Sequence, residues 1–172
     1  SSGGGLYFYS NPQLSSISLS ALENSDYLDV QDGPALTTLT IANYKTGGLS
    51  IEKCTSLTTL NIPIWEGNQL SLETSGFTTL TVPSVIKAHV YIYNNVSLTS
   101  ISIAKLNDAE ISISGNTLLT SVSLPLLATA QVSIYSPKIT SLSFPALNTI
   151  KDGFQISGAL LTNVSLPLLT TF

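Results

Sequence analysis

The chain has 172 residues, enough for one domain with a sizeable core. Apolar residues make up 43% and charged residues only 9%, against roughly 25% charged in an ordinary soluble domain. The net charge is −4 and the six basic residues are all lysine, which argues against phosphate neutralisation and hence against a nucleic-acid partner. Ser and Thr interrupt every apolar run well before the ~18 residues of a spanning helix, so membrane insertion is not expected either.

Residues 1–5, "SSGGG", read as a Gly/Ser linker. They are not a phosphate loop, because no Gly-Lys-Ser/Thr follows. Residues 6–172 read as one repeat domain. It opens with the alternating segment "LYFYS" at 6–10, a turn at Asn11-Pro12, and the phrase "LSSISL" from Leu14. The same phrase, apolar at its first, fourth and sixth positions, starts again at Leu36, Leu57, Phe77, Leu98, Leu119, Ile139 and Leu161. Each copy lies 20 to 22 residues after the last, which is the signature of stacked repeats.

Before each phrase stands a second alternating segment, among them "LDVQD" at 28–32, "LSIEK" at 49–53, "VYIYN" at 90–94 and "VSIYS" at 132–136. Apolar-polar alternation rich in Val, Ile, Leu and Tyr predicts a short strand with one buried face. Turn pairs such as Gly33-Pro34 and Ser136-Pro137 separate the two strands, and Pro63, Pro83, Pro125, Pro145 and Pro167 close the second. A unit this short buries its apolar side chains only by stacking on its neighbours. The expected fold is therefore all-β: a right-handed β-solenoid of about eight coils of 20–22 residues, with two short strands per coil.

The phrase and its period resemble leucine-rich repeats, although proline or alanine follows the last apolar residue where those repeats keep Asn or Cys. The two-strand unit, clearest in "LTSLSFPALNTI" at 139–150, resembles receptor L domains and the related repeats of fungal cell-wall proteins. "CTSLTTLNIP" at 54–63 is similar to the repeats of bacterial BspA-type surface proteins. That resemblance implies a non-catalytic scaffold at a cell surface or wall, used for adhesion or recognition, and it brings no catalytic residues.

With Leu and Ile pointing inward, two sets of outward columns remain. The phrase exposes hydroxyls: Thr38, Thr40, Thr59, Thr79, Thr81, Ser100, Ser102, Ser121 and Ser123. Such Ser/Thr ladders are a soluble face or, as the alternative function, a match to ice of the antifreeze kind. The first strands expose a more varied set, in which Asp29, Glu52, Glu73, Tyr91, Tyr93 and Tyr135 are the candidate recognition patch for a protein or glycan. Glu52 and Glu73 would be neighbours, an unfavourable pairing unless a cation such as Lys53 offsets it.

Cys54 is alone, which leaves no disulfide framework and no zinc cluster; it reads as a small buried residue in a turn. His89 is the only imidazole and reads as structural, so no enzyme, cofactor or metal is expected. Sequons at Asn95 and Asn163 offer glycosylation sites and, with the scarcity of charge, favour an extracellular address. The sequence shows no polar caps, which leads to the expectation of a longer chain or of end-to-end homo-oligomers.

Overall fold

A computed structural model describes residues 4–172 as about eight stacked turns of parallel β-structure, with no helix among the described residues. Residues 1–3 of the expected linker lie outside the described residues.

One side of the solenoid is a single parallel sheet of eight strands. It comprises β1 (Leu6–Tyr9), β3 (Asn24–Gln31), β5 (Thr46–Glu52) and β6 (Gln69–Glu73). It continues through β8 (Lys87–Tyr93), β10 (Asp108–Ser114), β12 (Thr129–Tyr135) and β14 (Thr149–Ser157). Alternation fixes its register, because a one-residue slip would turn every Leu and Ile to water. Leu28, Leu49, Leu70, Val90, Ile111 and Val132 thus stack in one inward row, all at most 2% exposed. Outward, Tyr7, Asp29, Ser50, Ser71, Tyr91, Ser112, Ser133 and Gln155 share a row, as the sequence implied.

The second side, built from the more regular phrase, is less continuous. Its strands are β2 (Ser16–Ser18), β4 (Thr38–Thr40), β7 (Thr79–Val82), β9 (Ser100–Ile103), β11 (Ser121–Ser123), β13 (Ser141–Ser143) and β15 (Asn163–Ser165). They pair only as β2–β4, β7–β9–β11 and β13–β15. The third coil's phrase forms no strand and touches the ladder through one bridge, Thr40 to Asn61. A third side carries turns rather than strands, and it drops Tyr44, Trp65, Val85, Leu106, Leu127 and Leu147 into the core. Leu39, Leu60 and Leu80 are buried as expected, at 5%, 8% and 1% exposure. Each fully buried side chain of this size is worth about 1.5–3 kcal/mol of transfer free energy.

The turn after the first strand needs a left-handed residue in each of six coils. Ser10, Asp32, Lys53, Thr74 and Asn94 have φ of 48–55°, and Gly115 has φ 70°. Inside that column runs a polar spine. The Asn116 carbonyl accepts from the Asn95 N–H at 2.9 Å, the Asn95 carbonyl from the Ser75 N–H at 2.9 Å, and the Ser75 hydroxyl from the Cys54 N–H at 3.3 Å. The side-chain amides of Asn95 and Asn116 donate inward to Leu72 O and Ile92 O, at 3.0 and 2.8 Å. Buried backbone groups at the turns are satisfied in this way. Cys54 is fully buried in its turn, and burial pushes its thiol up.

This spine corrects the expectation for Asn95. Its side chain has no exposed surface, and its amide nitrogen, which would carry the glycan, donates to two carbonyls. The fold leaves no room there for a sugar. Asn163, in contrast, is exposed on β15.

Candidate functional site

Among the described residues, the broad sheet gathers most of the chemistry around β8, β10, β12 and β14. Tyr91 and Tyr93, two apart on β8, project outward with their rings stacked at 6.4 Å and 20° between planes. The Tyr91 hydroxyl donates to Glu110 Oε1 at 3.2 Å and lies 3.2 Å from His89 Nδ1. His89 Nδ1 is also 3.3 Å from Glu110 Oε2. Burial first, and the neighbouring Glu110 carboxylate second, push the Tyr91 phenol up. One coil end further, Asp108 is held by Lys151 and, at 2.9 Å, by Lys87. The Lys151 bond is the larger of the influences that hold its carboxyl below the usual range.

A bulge shapes this region. Ala130 faces Ile150 and Val132 faces Phe154, so Lys151, Asp152 and Gly153 stand opposite the single residue Gln131. Bulges of this kind re-aim side chains and break an otherwise flat sheet. Between the bulge and the tyrosines the outward positions are small, Ser112 and Ser133, in register with Tyr91. The result is a cup of about 250 Å³ walled by Tyr91, Tyr93 and Asp152, with Gln131 and Gln155 at its edge. A second recess of about 200 Å³ adjoins it and shares Glu110, Gln131 and Asp152.

The candidate residues from the sequence are divided by this geometry. Tyr91 and Tyr93 form the cup. Glu52, Glu73 and Tyr93 do share one row as neighbours, and Lys53 reaches Glu52 at 2.7 Å to offset the crowding. Tyr135 stands two strands from Tyr93 and donates to Gln155 at 2.6 Å. Asp29 requires correction as an exposed patch residue: it is only 6% exposed. The Tyr9 hydroxyl donates to it at 2.7 Å and the Gln31 amide to both its oxygens at 3.0–3.1 Å, so both oxygens are engaged within the protein and covered.

On the hydroxyl side, Thr38 and Thr40 belong to the β2–β4 pair and Thr59 lies in the strandless third coil. Thr79, Thr81, Ser100, Ser102, Ser121 and Ser123 form one continuous strip across β7–β9–β11. Past β11 the strip opens into a groove of about 360 Å³ before β13.

Glu110, Gln131 and Asp152 were not singled out from the sequence. The strands that carry Glu110 and Gln131 start three residues before their Val- and Ile-rich parts, and β14, which carries Asp152, starts five residues before Phe154. The available signal was a buried residue just before each, Ala109, Ala130 and, ahead of the bulge, Ile150, which continues the inward row backwards.

Scans against protein-family models, curated proteins and solved structures each find no match for this chain. Its functional reading therefore stands on the geometry of the sheet.

Proposed function

We propose that the chain is a non-catalytic recognition module, displayed outside the cell at a surface or wall, whose eight-stranded sheet binds glycan. The observation that carries this reading is the stacked pair Tyr91 and Tyr93 on a rigid sheet beside a polar cup. Stacked phenols offer flat apolar area with a polar tip, which suits the C–H faces and hydroxyls of a sugar. Preorganisation supports it too, because in-register strands on both sides hold β8, so little ordering is left to pay on binding. The solenoid is proposed to be of the leucine-rich-repeat and receptor L-domain kind, on the strength of its two-segment coils and buried leucine columns.

A glycan-binding screen of the whole chain beside the Tyr91→Ala/Tyr93→Ala variant tests this. Binding by the parent that the double variant loses is the expected result. Equal binding by the two, or capture of a protein in place of any glycan, overturns it. The alternative of ice binding draws support from the Thr79-to-Ser123 strip, and thermal hysteresis is its measurement.

A further inference from the structure

We infer that the cup between β8 and β14 selects a single uncharged sugar ring, and that the two extra residues of the β14 bulge are its specificity wall. This inference rests on the glycan reading and sharpens it.

Size limits the occupant first. At about 250 Å³ the cup falls just below the roughly 300 Å³ at which small-molecule pockets usually begin. It suits one ring of a glycan rather than a buried chain. Charge limits it next. The cup's lining includes the carboxylates of Glu110 and Asp152 and no basic side chain. The nearest lysines, Lys87 and Lys151, both end on Asp108 in the adjoining recess. An acidic sugar would thus meet two carboxylates with no lysine directed at it, the His89 ring nearby already facing Glu110, and like charges at such range repel.

Neutral hydroxyls find what they need. Asp152 offers its carboxylate as an acceptor, and Glu110, which already accepts from Tyr91 and faces His89 Nδ1, keeps further lone pairs. Among the described residues the Gln131 amide makes no side-chain hydrogen bond within the protein, so it is left to donate and accept. Tyr91 and Tyr93 supply a flat wall for a ring whose hydroxyls are equatorial and whose faces are therefore C–H.

The bulge completes the enclosure. Other neighbouring strands in this half of the sheet pair residue for residue, as β8, β10 and β12 do. Only β14 places three residues opposite one there, and it lifts Asp152 across from the tyrosines. Without the bulge, the region over Ser112 and Ser133 would be an open shelf.

The test is titration calorimetry of the whole chain with a neutral β-1,4-linked glucose tetramer and with a galacturonate tetramer. The neutral tetramer is expected to bind and the uronate to bind at least about tenfold more weakly. Deletion of Asp152 and Gly153 restores the one-to-one register and is expected to abolish selective binding while thermal unfolding stays cooperative. Should that deletion fail to fold, Asp152→Ala with Gln131→Ala carries the same expectation, a loss of about tenfold. Uronate binding as tight as neutral binding, or either set of variants binding like the parent, overturns the inference while leaving glycan recognition standing. If neither tetramer binds and a broad glycan screen is also negative, the wider reading falls with it.

Discussion

The two strand-bearing sides of this solenoid are made from sequence of opposite character. The phrase with the strictest pattern builds the poorer sheet, seven strands of three or four residues in three separate pieces. The more varied segment builds eight strands in unbroken register. Regular apolar spacing therefore marks where side chains enter the core and does not by itself make a continuous sheet. Eight residues separate Leu49 from Leu57 and Ile111 from Leu119, but only seven separate Leu70 from Phe77 and Val132 from Ile139. Ladders are missing at those two steps, before β7 and between β11 and β13, but β7 pairs with β9 across the change from seven back to eight, and β4 meets the third coil through one bridge with no change in length.

The largest effect that would break this comparison is a matched pair of truncations. Ile113 is 1% exposed on β10 within the continuous sheet, and Val122 is only partly buried on β11. Ile113→Ala should cost about 2–5 kcal/mol in urea unfolding, and Val122→Ala about 1 kcal/mol. Equal costs would mean that the two sides are equally well packed and that sheet continuity is irrelevant to stability.

Much of this architecture was legible in advance. The period and the inward leucines follow from stacking, and the rows of Tyr7 to Gln155 and Tyr9 to Ser157 fall where alternation places them. Less legible was anything set by one coil against another. Asp29 stands in an outward row, yet Tyr9 from the coil before lies across it, and no local pattern encodes that cover. Asn95 looks like a sequon in any linear reading, and only the stack turns it into a buried strut. The cup needs a two-residue surplus in β14, which a 22-residue step conceals because the following turn is short.

The spine offers a second way to sharpen the contrast, since it fastens the turn beside the continuous sheet. Asn116→Ala removes the acceptor of the Asn95 N–H and the donor to Ile92 O and Ser114 O. Leaving buried backbone groups unpaired should cost about 3 kcal/mol in the same unfolding measurement. A loss under about 0.5 kcal/mol, in the range of an ordinary surface change, would show that the spine merely accompanies the stacking.

Smaller and opposite in sign is the effect at Thr74, a β-branched residue held at φ 48° in the turn after β6. L-residues with a branched Cβ are strained there, and glycine is not. Thr74→Gly should therefore stabilise the chain by about 0.5–1 kcal/mol, net of the added freedom of the unfolded state. A loss of stability would mean that the Thr74 side chain makes a contribution larger than its backbone strain.

The smallest expected effect is a pH dependence at the N-terminal edge of the sheet. The Tyr9 phenol is pushed up to about 12, chiefly by its hydrogen bond to Asp29 and secondly by burial. An unfolded tyrosine titrates near about 10. Its contribution is then fully present below about pH 10 and is lost as pH rises through about 12, because the folded state holds the proton longer. Wild type and Tyr9→Phe should accordingly converge in stability across that window, with the wild type falling faster. Tyrosinate absorbance should show one fewer late-titrating phenol in the variant. Parallel curves for the two proteins would mean that the Tyr9 to Asp29 bond does not persist in solution, and the cover over Asp29 would have to be assigned to Gln31 alone.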